Sequence, residues 1–206
     1  IPYMLLITAV LLVMGMTGNE ITFIEGVILW ILFIAYLLYL YILAKKGNDS
    51  SDEQSVKLYP VWKCLLFIVL GGVCVVIGSQ FVVNGATTIA RACGMSERFI
   101  GLTIVAFGTS LPELVTSVSA ARKGNAGIAI GNIVGSNIFN ILFVVGTVAL
   151  ICPVPFESRF VIDTVVAILC GVLLWGGTIR HKELRKPCGV VMLLCYAAYF
   201  VYLAAM

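Results

Sequence analysis

Very little of this sequence is charged. Asp, Glu, Lys and Arg make up 11% of its 206 residues, less than half the roughly 25% of an ordinary soluble domain. Apolar residues reach 61%, mean hydropathy is +1.10, and uncharged stretches run for about 18–24 residues, enough to cross ~30 Å of hydrocarbon. A soluble globular domain is excluded, and a polytopic helical membrane protein is the class that fits. Histidine is almost missing: the single His181 lies in a basic loop, and no Ser–His pair, paired aspartates or H-E-x-x-H run is present. The groups an intramembrane hydrolase needs are therefore absent, and no enzyme is expected. Cysteine forms no framework either. Cys64, Cys74, Cys93, Cys152, Cys170, Cys188 and Cys195 are scattered, odd in number and without a C-x-x-C pair, which argues against disulfides or zinc and for small buried hydrophobes. No cofactor is implied. The net charge of +3 comes from basic residues in connecting loops and indicates no nucleic-acid partner. The start, Ile1-Pro2-Tyr3, has no initiator Met, basic n-region or cleavage signature, so it reads as a cut through a longer protein rather than a signal peptide.

What is present are seven apolar segments, at about 3–16, 21–44, 61–90, 98–121, 126–150, 160–179 and 188–206. Residues 1–45 hold two helices, 46–60 a short hydrophilic linker, and 61–206 a group of five. The third segment runs through Gln80, Asn84, Thr87 and Thr88 to Arg91, and is either a strongly tilted helix or a span followed by an interfacial turn. Orientation follows from the basic loops. Lys45, Lys46, Lys57, Lys63, Arg122, Lys123, Arg180, Lys182, Arg185 and Lys186 fall on one side, against Arg91, Arg98 and Arg159 on the other. That asymmetry puts the linker in the cytoplasm and the C-terminus outside.

Ten acidic residues are present, and Glu113 alone falls deep inside a span. An ionisable group there costs roughly 3 kcal/mol on insertion scales and usually marks an ion pathway; the alternative is a glutamate that merely hydrogen-bonds between helices. Its neighbours favour the pathway. Pro112 has no N–H, so the Gly108 carbonyl loses its helical partner. The run Gly108-Thr109-Ser110-Leu111-Pro112-Glu113 therefore predicts a break in mid-membrane, which survives only in protein or beside water. Thr109, Ser110 and Ser117 stand three or four residues from Glu113, on one helix face. Carboxylate, hydroxyl and carbonyl oxygens are the ligands of hard cations such as Ca²⁺. In the next segment Asn132, Ser136 and Asn140 recur every four residues, beside Gly127, Gly131 and Gly135. The glycines predict a close helix approach. A turn around Lys123-Gly124-Asn125 makes the two spans antiparallel, so Glu113 and the Ser136/Asn140 face can meet.

At Gly108-Thr109-Ser110-Leu111-Pro112-Glu113 and Gly131-Asn132-Ile133-Val134-Gly135-Ser136-Asn137-Ile138-Phe139-Asn140, the chain resembles the sodium/calcium exchanger branch of the cation/calcium antiporter superfamily. The stretch 98–150 looks like the second of that family's two inverted α-repeats. The resemblance implies an all-α polytopic membrane protein of about seven transmembrane helices, the last five forming one inverted-repeat half of a ten-helix antiporter. It further implies Na⁺/Ca²⁺ exchange by alternating access, with Ca²⁺ and Na⁺ as transported ions and the lipid bilayer as surroundings. A missing N-terminal half would carry the first repeat as partner. Carried over by position, it assigns cation binding to Thr109, Ser110 and Glu113, to Ser136 and Asn140, and to the backbone carbonyl of Ala106. Some relatives carry Asp where this chain has Asn140, which bears on stoichiometry and potassium dependence. The short linker resembles prokaryotic members, and so implies a prokaryotic inner membrane. A proton/calcium exchanger, with Glu113 carrying the proton, is the alternative within transport. A half-protein working as a homodimer is the other, and the two leading helices argue against it, since such a chain would begin near residue 60.

Overall fold

The computed structural model describes residues 1–47, 60–95, 97–179 and 184–205. Most of the 46–60 linker, Arg180, His181, Lys182 and Met206 lie outside the described residues. Helix occupies each apolar segment drawn from the sequence. The helices are α1 (Pro2–Gly18), α2 (Phe23–Gly47), α3 (Val61–Ala92), α4 (Glu97–Ile100), α5 (Ala106–Thr109), α6 (Leu111–Arg122), α7 (Ala126–Phe139), α8 (Gly146–Ile151), α9 (Ser158–Thr178) and α10 (Lys186–Ala205). A π-helical turn, Gly101–Val105, joins α4 to α5, and another, Asn140–Val145, joins α7 to α8.

Phe23–Lys46, Val61–Ala92, Ala126–Ile151 and Ser158–Thr178 are long and apolar enough to cross a membrane. The bent pair Thr103–Thr109 and Leu111–Arg122 makes a fifth candidate, while Pro2–Gly18 and Lys186–Tyr202 are shorter. α3 is one continuous helix of 32 residues, about 48 Å at 1.5 Å per residue, so its polar end belongs to the same rod as its apolar beginning.

Local chemistry sets the boundaries. α1 opens on Pro2, whose fixed φ suits a first helical position, and stops at Asn19 in the left-handed region (φ 55°). α2 starts behind Thr22, whose N–H and hydroxyl both donate to the Glu25 carboxylate, at 2.7 and 2.8 Å, half of a capping box. Lys45 and Lys46 close its last turn, where cations meet the negative end of the helix dipole.

The buried core joins the two leading helices to α7–α9. Ile7, Ile21, Leu29, Ile138 and Leu142 are fully buried within it. α1 packs on α9, α2 on α8 and its preceding π turn, and α10 on α9. The α2–α8 approach is close because glycines face each other: a Cβ on Gly26 would stand 3.0 Å from the Ala149 Cβ and the Gly146 carbonyl oxygen. Glu20–Ile21 (β1) and Val154–Pro155 (β2) form a small antiparallel ribbon, pairing Glu20 with Pro155 and Ile21 with Val154. The ribbon ties the α1–α2 connection to the α8–α9 connection. On the remaining helix faces large apolar side chains point outward, as a hydrocarbon solvent requires.

Candidate cation-binding site

The site is built where the fourth apolar segment breaks. α5 ends at Thr109, α6 begins at Leu111, and the two axes differ by 51°. Pro112 sits at the start of α6, where its missing N–H costs that helix nothing but leaves the Gly108 carbonyl without its bond from residue 112. The turn tightens at Ser110, whose N–H donates to the Phe107 carbonyl at 3.1 Å, and α6 resumes with the Leu114 N–H on the Ser110 carbonyl at 3.0 Å. The Gly108 carbonyl is not left open: the Ser79 hydroxyl of α3 donates to it at 2.9 Å. The loss of the helical partner is visible in the sequence; its replacement by Ser79, 29 residues upstream, is not.

Glu113 stands in the first turn of α6, next to α7, which returns antiparallel after the Lys123-Gly124 turn; Gly124 adopts φ +78° there. Its Oε1 accepts from the Ser136 hydroxyl at 3.4 Å. Its Oε2 is buried and has no hydrogen-bond partner among the described residues. Ser110, Glu113, Leu114, Ser117, Ile133, Ser136 and Asn137 line a cleft of about 250 Å³ there.

Asn132 turns toward α6. Its Nδ2 donates to the Glu113 carbonyl at 3.1 Å, the Thr116 hydroxyl at 2.9 Å and the Ser117 hydroxyl at 2.9 Å. An amide nitrogen carries two hydrogens, so these acceptors share them, and Asn132 locks α6 onto α7 directly behind the carboxylate. Ser117 is buried and also reaches the Ala129 carbonyl at 3.5 Å, which marks it as part of this lock.

Of the six positions singled out for cations, the structure brings Glu113 and Ser136 into contact and puts Ser110 on the same cleft. Thr109, across the bend, is exposed. Asn140 is exposed at the head of the π-helical turn, and Ala106 begins α5. The turn after Asn140 is held from outside by rings. Phe139 stacks on Phe143 with centroids 4.6 Å apart, and Phe33 and Trp30 of α2 pack against Phe143 at 5.5 and 5.2 Å. Neither π-helical turn is readable from the apolar pattern; such turns recur at functional sites. The Gly127, Gly131 and Gly135 stripe meets no neighbour: a Cβ at any of them would find nothing within 4 Å, so the close approach expected there has no partner among the described residues. No group of three or more His, Cys, Asp or Glu side chains gathers among the described residues. The oxygens here are one carboxylate, hydroxyls, amides and backbone.

An apolar helical bundle carrying a broken helix, with one carboxylate tucked against a polar-striped neighbour, defines an integral, multi-pass membrane protein with a polar site between its helices. Residues 63–205 match the family model described as sodium/calcium exchanger protein, and the chain belongs to that family. It is 38% identical over 142 residues to the sodium/calcium exchanger MaX1 of Methanosarcina acetivorans, covering 68% of this chain and 41% of that protein. It is 32% identical over 186 residues to the inner membrane protein YrbG of Escherichia coli, covering 82% and 55%. Among solved structures, the sodium/calcium exchanger from Methanococcus jannaschii superposes with a TM-score of 0.77 at 31% identity, covering 96% of this chain and 62% of that one. The chain thus spans between about two fifths and three fifths of the length of these relatives.

Proposed function

We propose that the protein containing this chain is a secondary antiporter that exchanges Na⁺ for Ca²⁺ across a membrane by alternating access. One observation carries the reading: the Oε2 of Glu113, buried at a helix break and without a donor among the described residues. A carboxylate oxygen hidden from water without a partner is costly, and a bound cation removes that cost. Ser110 and Ser136 on the same cleft supply neutral oxygens, and Thr109, Asn140 and the Ala106 carbonyl complete the shell in this proposal. Oxygen ligands of this kind suit Ca²⁺, which takes 6–8 of them.

A single carboxylate balances half the charge of Ca²⁺. A second acid therefore comes from a first repeat, related by inverted symmetry, in a preceding half of the protein. In this scheme residues 1–45 close that half, 46–60 form the cytoplasmic connection, and 61–206 are the second half. Na⁺ and Ca²⁺ share the Glu113 ligand, so one leaves as the other enters. The distribution of Lys and Arg supports an extracytoplasmic C-terminus, and the similarity to YrbG supports a bacterial-type inner membrane.

The test uses the full-length protein in sealed vesicles. An outward Na⁺ gradient should drive ⁴⁵Ca²⁺ uptake, and Glu113→Gln, which keeps the shape but removes the charge, should reduce it to background. Uptake at wild-type level by Glu113→Gln refutes the role of Glu113; uptake driven by a pH gradient and indifferent to Na⁺ refutes the choice of Na⁺.

A further inference from the structure

We propose that Ser79 of α3 is a positioning residue of this site, acting through the Gly108 carbonyl. The inference rests on the reading of Glu113 as a cation ligand and adds to it a residue on a different helix.

The half-buried face of α3 carries Val75, Ser79, Val83, Ala86 and Thr87 and is followed by the buried Ala90; α3 packs against α5, α6 and the π turn before them. Ser79 and Val83 are one turn apart on that face. Val83 lies so close to Gly108 that a Cβ on Gly108 would overlap a Val83 methyl. Glycine at 108 thus admits the α3 backbone to the depth at which Ser79 reaches the carbonyl that Pro112 has stripped of its partner. The bond is 2.9 Å long.

This bond does two things. It satisfies a backbone acceptor in a setting where water is scarce and the carbonyl would otherwise turn toward whatever donor or cation it could find. It also fixes the direction of the Gly108–Thr109 peptide, immediately before the 51° bend. Thr109 and Ser110 follow directly, so the direction of their oxygens relative to Glu113 is set from α3. Ser79 touches no ion; it aims the residues that do.

The experiment compares Ser79→Ala, Ser79→Thr and Ser79→Cys in the full-length protein, measuring initial ⁴⁵Ca²⁺ uptake against Ca²⁺ concentration. Ser79→Thr keeps the hydroxyl and should keep wild-type half-saturation. Ser79→Ala should raise half-saturating Ca²⁺ about tenfold, the equivalent of ~1.4 kcal/mol, with a smaller change in maximal rate. Ser79→Cys, a near-isostere whose thiol is a weak donor, should fall between, and it carries the test if the alanine variant does not fold. Wild-type half-saturation in folded Ser79→Ala or Ser79→Cys overturns the proposal. So does a loss of thermal stability without any shift in half-saturation, the outcome of a purely structural role. A second measurement needs no transport: with ¹³C at the Gly108 carbonyl, the isotope-shifted infrared band should move to higher frequency in Ser79→Ala as the bond is lost. An unmoved band overturns the positioning role even if exchange is intact. If the wild-type protein does not exchange Na⁺ for Ca²⁺ while Ser79→Ala still moves the band, the functional reading is defeated and the Ser79–Gly108 coupling stands.

Discussion

Gly108→Ala sets two physical effects of opposite sign against each other. In an isolated helix the change is favourable, since alanine exceeds glycine by roughly 1 kcal/mol in helix propensity. At this position the new Cβ would overlap a methyl of Val83 and stand 3.2 Å from the Val83 Cβ, against the 3.5–4.0 Å at which carbons attract. Val83 cannot swing aside cheaply, because a β-branched side chain in a helix has one strongly preferred rotamer. α3 must therefore retreat, and the Ser79 bond, now 2.9 Å, stretches beyond a useful length. Overpacking costs about 1–3 kcal/mol and the lost hydrogen bond about 1 kcal/mol. The balance is a net loss of ~1–3 kcal/mol despite the better propensity. The assay is thermal unfolding of the purified full-length protein, where Gly108→Ala should melt several degrees below wild type. Val83→Ala in the same molecule removes the obstructing methyls, and the double variant should recover at least half of the loss, a coupling of roughly 1–2 kcal/mol between residues in contact. A Gly108→Ala protein melting at or above wild type, or a double variant no better than the single one, refutes the reasoning.

Two further outcomes follow from the packing around the site. Asn132→Ala removes the donors to the Glu113 carbonyl, Thr116 and Ser117, and should lower stability by about 1–3 kcal/mol, read as faster amide exchange throughout α6. Gly146→Leu forces a side chain against Leu29, whose Cβ already lies 3.2 Å from where the glycine's own would be; the melting temperature should fall, while Gly127→Leu, facing open space, should leave it nearly unchanged in detergent.

The broken helix was legible because its causes are local. Proline removes an N–H from a fixed carbonyl four residues back, and that relation needs no knowledge of the fold. The meeting of Glu113 with Ser136 was legible for a similar reason: a four-residue period on each helix of a tight antiparallel hairpin leaves little choice of partner. The approach of Ser79 to Gly108 was not, because it depends on how deeply α3 packs, and α3 offers several polar residues of equal promise. Gln80, Asn84 and Thr88 are exposed, while Ser79, one residue from Gln80, makes the bond. Asn132 shares the polar stripe with Ser136 and Asn140, and its amide meets α6 as the hairpin predicts; helical spacing tells which residues share a face and not which acceptors each side chain finds there. The glycine stripe on α7 illustrates the same point from the other side. Small residues permit contact, but glycines that are in contact, among them Gly26 with Gly146, Gly108 with Val83 and Gly15 with Phe156, carry no such periodic signature. The two-stranded ribbon is too short for any alternation to announce it.

The ribbon and the core beneath it give the polypeptide an interleaved order. Residues 1–47 come first in the chain yet rest on α7, α8 and α9, whereas α3, next after the linker, leans on the broken helix. Chain order and neighbour order are out of step. A protein made as two polypeptides divided in the linker would therefore hold together through the Gly26–Gly146 crossing, the Glu20–Pro155 and Ile21–Val154 pairs, and the packed rings of Trp30, Phe33 and Phe143.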